Sequence, residues 1–296
     1  MHSSIPPVTT WNLDPVLLLA LAVLLGGYLY AIGPLNRRIA PDEPAPRSRV
    51  ASFSGGWLIL ALSLISPLDT LGRYYGFAAH SFQLFLIITA VAPLLLIGLP
   101  EWLVWKLLPL RALRDATRGF GFMAMSVVLF NGLILIWHAG PIFEAGLRNE
   151  ALHNLESLCF LLAGLLTWWP LLTPLDRHTR LASPFQILYL VVESLPLDIF
   201  GAFTLFADHV FYTSYNTAPH LFGFSTVVDQ AVGGAIIAVP GNLVDIVIMS
   251  LVFFGWIQRV EQAQREHEAQ IYGDGTDANA PSEGVQVKPV SNVHDI

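Results

Sequence analysis

The chain has a single cysteine, Cys159, and only two lysines, Lys106 and Lys288. One cysteine excludes an internal disulfide and any Cys-x-x-Cys metal or redox motif within a single chain. Two lysines, neither inside an apolar stretch, exclude a retinal-type photoreceptor, which needs a Schiff-base lysine within the membrane. Charge is scarce as well: 12% of residues are charged and 54% hydrophobic, against about 25% charged in soluble domains, so this chain could not cover itself with polar surface in water. The sequence also lacks Gly-x-Ser-x-Gly, His-Glu-x-x-His and any Gly-rich phosphate loop. It is not expected to be an enzyme, and no nucleic-acid partner is expected.

What the chain does have is long apolar runs. Pro15 to Asn36, Val50 to Leu68, Tyr74 to Pro100, Gly119 to Phe143 and Ser157 to Leu175 contain no Asp, Glu, Lys or Arg. Each is long enough for a helix to cross about 30 Å of hydrocarbon. Leu181 to Ala207 and Val227 to Ile257 are as long but enclose Glu193 and Asp198, and Asp229 and Asp245, respectively. Runs of this length without alternating polarity exclude barrel strands, leaving helices that satisfy their own backbone. The sequence therefore predicts an all-α polytopic membrane protein, a bundle of seven transmembrane helices over residues 1–257. Residues 258–296 are expected to form a cytoplasmic tail, first a helical extension and then, from Gly273-Asp274-Gly275 onward, disordered.

Threading the seven runs alternately puts every Lys and Arg except Arg73 and Arg148 on one side. By the positive-inside rule that side is cytoplasmic, so the N-terminus is expected outside and the C-terminus inside. The tryptophans, including Trp11, Trp57, Trp102 and Trp256, fall near span ends, as an interfacial belt requires. No basic residue precedes the first apolar run, which is therefore expected to be retained rather than cleaved as a leader.

Polar residues inside such a bundle are the pointers to function. The third and fifth runs open with a histidine followed three residues later by a hydrogen-bonding side chain, His80 with Gln83 and His153 with Glu156. That spacing puts each pair on one helix face. His138 ends the fourth run, Asp229 opens the seventh, and His209 and His220 lie in the loop between the sixth and seventh. Two accounts of this outer cluster stand side by side. In one, the groups tie helix ends together through local hydrogen bonds. In the other, imidazoles with a nearby carboxylate coordinate a metal, since imidazole suits copper, zinc, iron and nickel. Asn131 reads as interhelical glue, Cys159 as packing, and Gly233-Gly234 as a place where helices approach closely. Pro196 and Pro240-Gly241 are expected to kink the sixth and seventh helices beside Glu193, Asp198 and Asp245.

The succession His80, Ala92-Pro93, Gly98-Leu99-Pro100, Trp137-His138 with Pro141, Asn149, His153 with Glu156, Asp229-Gln230, Gly233-Gly234 and Pro240-Gly241 resembles the CtaG-like cytochrome c oxidase assembly factors. The resemblance spans Tyr74 to Ile257. It implies a multi-pass protein of the bacterial plasma (inner) membrane that acts as a chaperone in haem-copper oxidase maturation, handling copper at the outer face. The implied partners are an oxidase subunit or a copper chaperone. Where the family pattern has a second histidine four residues after each of the first, this chain has Leu84 and Ser157. The ligand candidates are then His80, His138, His153 and Asp229, with Gln83 and Glu156 orienting the imidazoles. Two alternatives stay open: a membrane cytochrome using His80 and His153 as axial haem ligands, and a small-solute or ion transporter built around Glu193, Asp198 and Pro240.

Overall fold

The computed structural model describes residues 5–107, 120–172, 183–220 and 223–273, and these are helical and loop throughout, without a strand. In chain order the helices are α1 (Pro15–Ile39), α2 (Arg47–Ile65), α3 (Pro67–Tyr74), α4 (Phe77–Gly98), α5 (Glu101–Leu107), α6 (Phe120–Trp137), α7 (Gly140–Arg148), α8 (Glu150–Leu172), α9 (Ser183–Leu205) and α10 (Thr226–Gly273). Six of these, α1, α2, α4, α8, α9 and α10, are each long and apolar enough to cross a membrane. A seventh span exists only if α6 and α7 count as one, and they are bent by 67°. The apolar run from Gly119 to Phe143 is therefore not one straight helix. Pro141, in the first turn of α7, has no N–H to give the Trp137 carbonyl, so the ladder stops there and restarts from Ala139, whose backbone is extended. The helices fit a multi-pass membrane protein. Arg111, Arg114, Arg118, Arg177 and Arg180, on which much of the charge asymmetry rests, lie outside the described residues, as does the tail beyond Gly273.

The helix ends are written in the sequence. Asp14 caps α1, accepting from Val16 N–H at 2.6 Å, and that bond holds its carboxyl below the usual range. Its other oxygen accepts from Asn154 Nδ2 at 2.8 Å, which fastens the start of α1 to α8. Ser66 caps α3, with Pro67 at the first helical position. Two π-turns interrupt the α ladder: Ala31–Leu35, around Pro34, and Ile87–Val91, just ahead of Pro93. In the second, the Ile88 carbonyl is taken up by Trp168 Nε1–H at 2.8 Å, locking α8 onto α4. By contrast α9 and α10 continue as single helices through Pro196 and Pro240.

Helix α4 is the most enclosed span and α10 the least. Leu84, Ile87 and Val91 of α4 pack with Leu60 and Leu64 of α2, Phe130 and Ile134 of α6, and Phe160 and Ala163 of α8 in one apolar core; Cys159 lies at its edge. Large apolar side chains such as Leu19, Val128, Phe203 and Leu251 point outward, as a lipid-facing surface requires. On the other flank α9 and α10 meet across glycines. A Cβ on Gly234 would lie 2.5 Å from Leu205 N and 2.6 Å from Gly201 O, so the two backbones touch.

Candidate functional site

His80 is the fourth residue of α4 and His153 the fourth of α8, so both stand in the first turn of their helices. Local sequence brings α3 across them. Gly72 of α3 lies against the His80 backbone, where a Cβ would come within 3.1 Å of its Cα, so a side chain here would have to push α3 and the His80 backbone apart by a few tenths of an ångström. Arg73 Nε then donates to the Leu147 carbonyl at the end of α7 at 3.1 Å, and Tyr215 O–H donates to the Gly72 carbonyl. Tyr212 O–H donates to the His138 carbonyl at 2.9 Å. Burial pushes both phenols upward, so they remain donors at any physiological pH.

Beneath this cover lies a chain of buried polar side chains. His153 Nε2 is 2.9 Å from Asp69 Oδ1, and because a carboxylate oxygen only accepts, Nε2 carries the proton. Asp69 receives two further donors, Gln83 Nε2 at 3.2 Å and Asn12 Nδ2 at 2.9 Å. The other ring nitrogen of His153, Nδ1, lies 3.4 Å from Glu156 Oε2, and Glu156 Oε1 lies 3.7 Å from His80 Nε2. His138 donates from Nδ1 to the Ile134 carbonyl at 2.8 Å, which leaves its Nε2 as a bare lone pair. Its ring centroid is 5.5 Å from that of His80. His80, His138, His153 and Glu156 are each at most 4% exposed.

The unmet hydrogen bonds concentrate here. Both ring nitrogens of His80, Nε2 of His138, Nδ1 of His153 and Oε1 of Glu156 are buried without a hydrogen-bond partner. Buried polar atoms are normally satisfied, and five such atoms on four neighbouring side chains make this end of the bundle the candidate site. The surrounding wall is aromatic: Phe143 and Phe160 lie edge-on to the His80 ring, and Phe77 and Phe200 flank His138. Glu156 lies between His80 and His153, with phenylalanines against the His80 and His138 rings.

The sequence candidates are thus divided. His80, His138 and His153 come together, and Glu156 bridges His80 to His153 rather than only orienting one ring. Gln83 serves Asp69 and the Ser63 carbonyl rather than an imidazole. Asp229 stands apart: its Oδ2 accepts from Ala78 N–H at 3.3 Å at the start of α4, and it faces Gly76 and His220 in a separate cavity of about 310 Å³ lined also by Phe82, Tyr215 and Val232. Among the described residues no three His, Cys, Asp or Glu side chains are already grouped as a metal-holding set. Asp69 is the participant that sequence pattern misses. It sits three residues after Ser66 at a helix start, where an acid reads as part of a capping box, but the fold turns its side chain into the bundle.

Asn131 is the expected glue, donating to the Glu193 carbonyl of α9 at 2.9 Å. Glu193, Asp198 and Asp245 line a small cavity of about 50 Å³ with Thr167 and Tyr189. Asn242 Nδ2 donates to Asp198 Oδ1 at 3.0 Å.

A family model described as cytochrome c oxidase caa3 assembly factor matches residues 26–259, which take in the histidine cluster and every long helix from the end of α1 through the membrane portion of α10. No curated protein and no solved structure gives a significant match.

Proposed function

Since the chain belongs to the cytochrome c oxidase caa3 assembly factor family, we propose that it is a non-catalytic helper that hands copper to a maturing haem-copper oxidase. In this proposal it spans the bacterial plasma membrane seven times, with α6 and α7 as one bent span, the N-terminus outside and the C-terminus in the cytoplasm. The histidine-bearing end then faces outward. Its partners are an oxidase subunit, which receives the metal, and a copper chaperone, which delivers it.

One observation carries the copper part: the five buried, unbonded nitrogen and oxygen atoms of His80, His138, His153 and Glu156. The donor set is imidazole-rich with one carboxylate, a chemistry that copper accepts. Few ligands and no pre-assembled group of three suit transient holding of cargo rather than permanent binding; monovalent copper is content with two. Asp229, engaged with the first turn of α4, has no part in this set.

The test is copper held per purified chain after loading with Cu(I) in right-side-out vesicles, compared between wild type and the His80→Ala, His153→Ala double variant. Wild type is expected to load about one copper that a membrane-impermeant chelator removes from outside, and the double variant to load only background. Equal, negligible loading in both would remove copper handling, and copper reached only from the cytoplasmic side would reverse the orientation.

A further inference from the structure

Asp69 is buried, it is contacted by donors from three separate parts of the chain, and nothing in the motif pattern assigns it a role. Its Oδ2 accepts from Asn12, in the segment before α1; its Oδ1 accepts from Gln83 of α4 and from His153 of α8. The Asn12 side is itself anchored: Asn12 N–H donates to the Ile65 carbonyl at 3.0 Å, and Thr70 Oγ1 donates to the Thr10 carbonyl at 2.9 Å. The carboxylate is therefore held from two sides before the histidine is considered.

A carboxylate so fixed decides which face of the imidazole is available. Nε2 of His153 must keep its proton to meet Asp69, and the ring plane follows from that bond. The only other donor atom of the ring, Nδ1, then points to Glu156 Oε2 at 3.4 Å, on the side where Glu156 Oε1 approaches His80. From this arrangement we infer that Asp69 is the positioning residue of the site: it fixes His153 with Nε2 protonated, so that Nδ1 is the nitrogen turned to Glu156, His80 and the copper cargo. A carboxylate behind a metal-binding histidine is a recurrent device that raises the ring's donor strength and sets its tautomer. Asn12 and Gln83 hold the carboxylate in turn, which makes the segment before α1 part of the site. The inference rests on the copper proposal for the identity of the cargo but not for the state of the ring.

The experiment uses the full chain in lipid nanodiscs with ¹⁵N-labelled histidine. Nitrogen NMR reads the protonation of each His153 nitrogen, metal-free and with Cu(I), which is diamagnetic, and a chromophoric chelator reads Cu(I) affinity. In wild type, His153 Nε2 is expected to carry its proton in both states, with only the Nδ1 signal moving on copper addition. In Asp69→Asn the preference for protonated Nε2 is expected to relax and Cu(I) affinity to fall on the order of 10–100-fold. Asn12→Ala, a milder change outside the helices, is expected to act in the same direction by a few-fold, and it keeps the test open if Asp69→Asn does not fold. A metal-free wild type with bare Nε2 overturns the inference, as does a weakened Asp69→Asn whose His153 signals are unchanged. A wild type that takes up no copper overturns the copper proposal alone, since the metal-free ring signals still judge Asp69.

Discussion

Two groups of buried acids lie in this membrane bundle, and they are treated in opposite ways. At the histidine end, Asp69 is met by three donors and Glu156 stands between two imidazoles. In the middle of α9 and α10, Glu193, Asp198 and Asp245 share a cavity whose lining contains no Lys, Arg or His, and Asn242 supplies a direct amide donor to Asp198. In the first group Asp69 is fixed by N–H donors from three parts of the chain, while in the second three acids share one cavity and the donors to them are the Asn242 amide and the hydroxyls of Ser194 and Thr167. A carboxylate in a membrane interior must pair or give up its charge. Asp69 at the histidine end is paired, and the nitrogens there without a hydrogen-bond partner are the atoms on which the copper proposal rests. Burial of polar groups alone does not distinguish a site from a tolerated defect; the direction of the remaining lone pairs does.

The largest effect that could break this contrast is at Asp69. Asp69→Ala removes the acceptor of the Asn12 amide, of the His153 Nε2–H and of one of the two Gln83 bonds, and each buried donor left unsatisfied costs about 1–3 kcal/mol. Thermal unfolding in nanodiscs should show a clear fall in midpoint for Asp69→Ala. A midpoint within a degree of wild type would mean that the donors find water or one another, and that the carboxylate does not organise this end.

How much of this was legible beforehand follows from where each signal resides. The spans are local in sequence: apolar length alone marks α1, α2, α4, α8, α9 and α10. The place of His80 and His153 near the starts of their helices is legible too, because each histidine lies near the start of an apolar run. The break at His138 is only half-legible, since Pro141 announces a stop but neither the 67° turn nor the 5.5 Å between the His138 and His80 ring centroids. Asp229 illustrates the opposite failure: it opens a span at the right depth, but helix rotation, which hydropathy does not report, sends it to the first turn of α4 instead. Asp69 is hidden for a related reason. Its three partners come from Asn12, Gln83 and His153, distant in sequence and brought together only by packing, whereas its local context is that of an ordinary helix start.

A second, smaller effect tests the other region. The α9 and α10 backbones touch at Gly234, where an added Cβ would lie 2.5 Å from Leu205 N and 2.6 Å from Gly201 O. Neither atom is the tip of a flexible side chain, so Gly234→Ala must move the helices apart, at a cost of about 1–3 kcal/mol. The expected result is a lowered unfolding midpoint with copper loading per folded chain unchanged, because the histidine cluster draws on α4, α6 and α8. A loss of loading in proportion to the lost stability would tie the two regions together and blur the contrast between them.

The smallest effect is expected at Glu193 itself. Glu193→Gln keeps the side chain's shape, replaces an acid that faces Asp198 and Asp245 with a neutral amide, and retains the backbone carbonyl that Asn131 uses. If these acids are merely accommodated, the change removes a like-charge neighbour and leaves the unfolding midpoint within about 1 kcal/mol of wild type or slightly above it, since exchanging a buried ionisable group for a neutral isostere is often neutral or stabilising. The decisive comparison is oxidase maturation in a deletion strain complemented by Glu193→Gln or by His80→Ala. Full rescue by the first and none by the second places function at the histidine end. Failure of both, with each protein stably inserted, would instead make the α9 and α10 cavity a working part of the factor, and the transporter alternative would then have an observation in its favour.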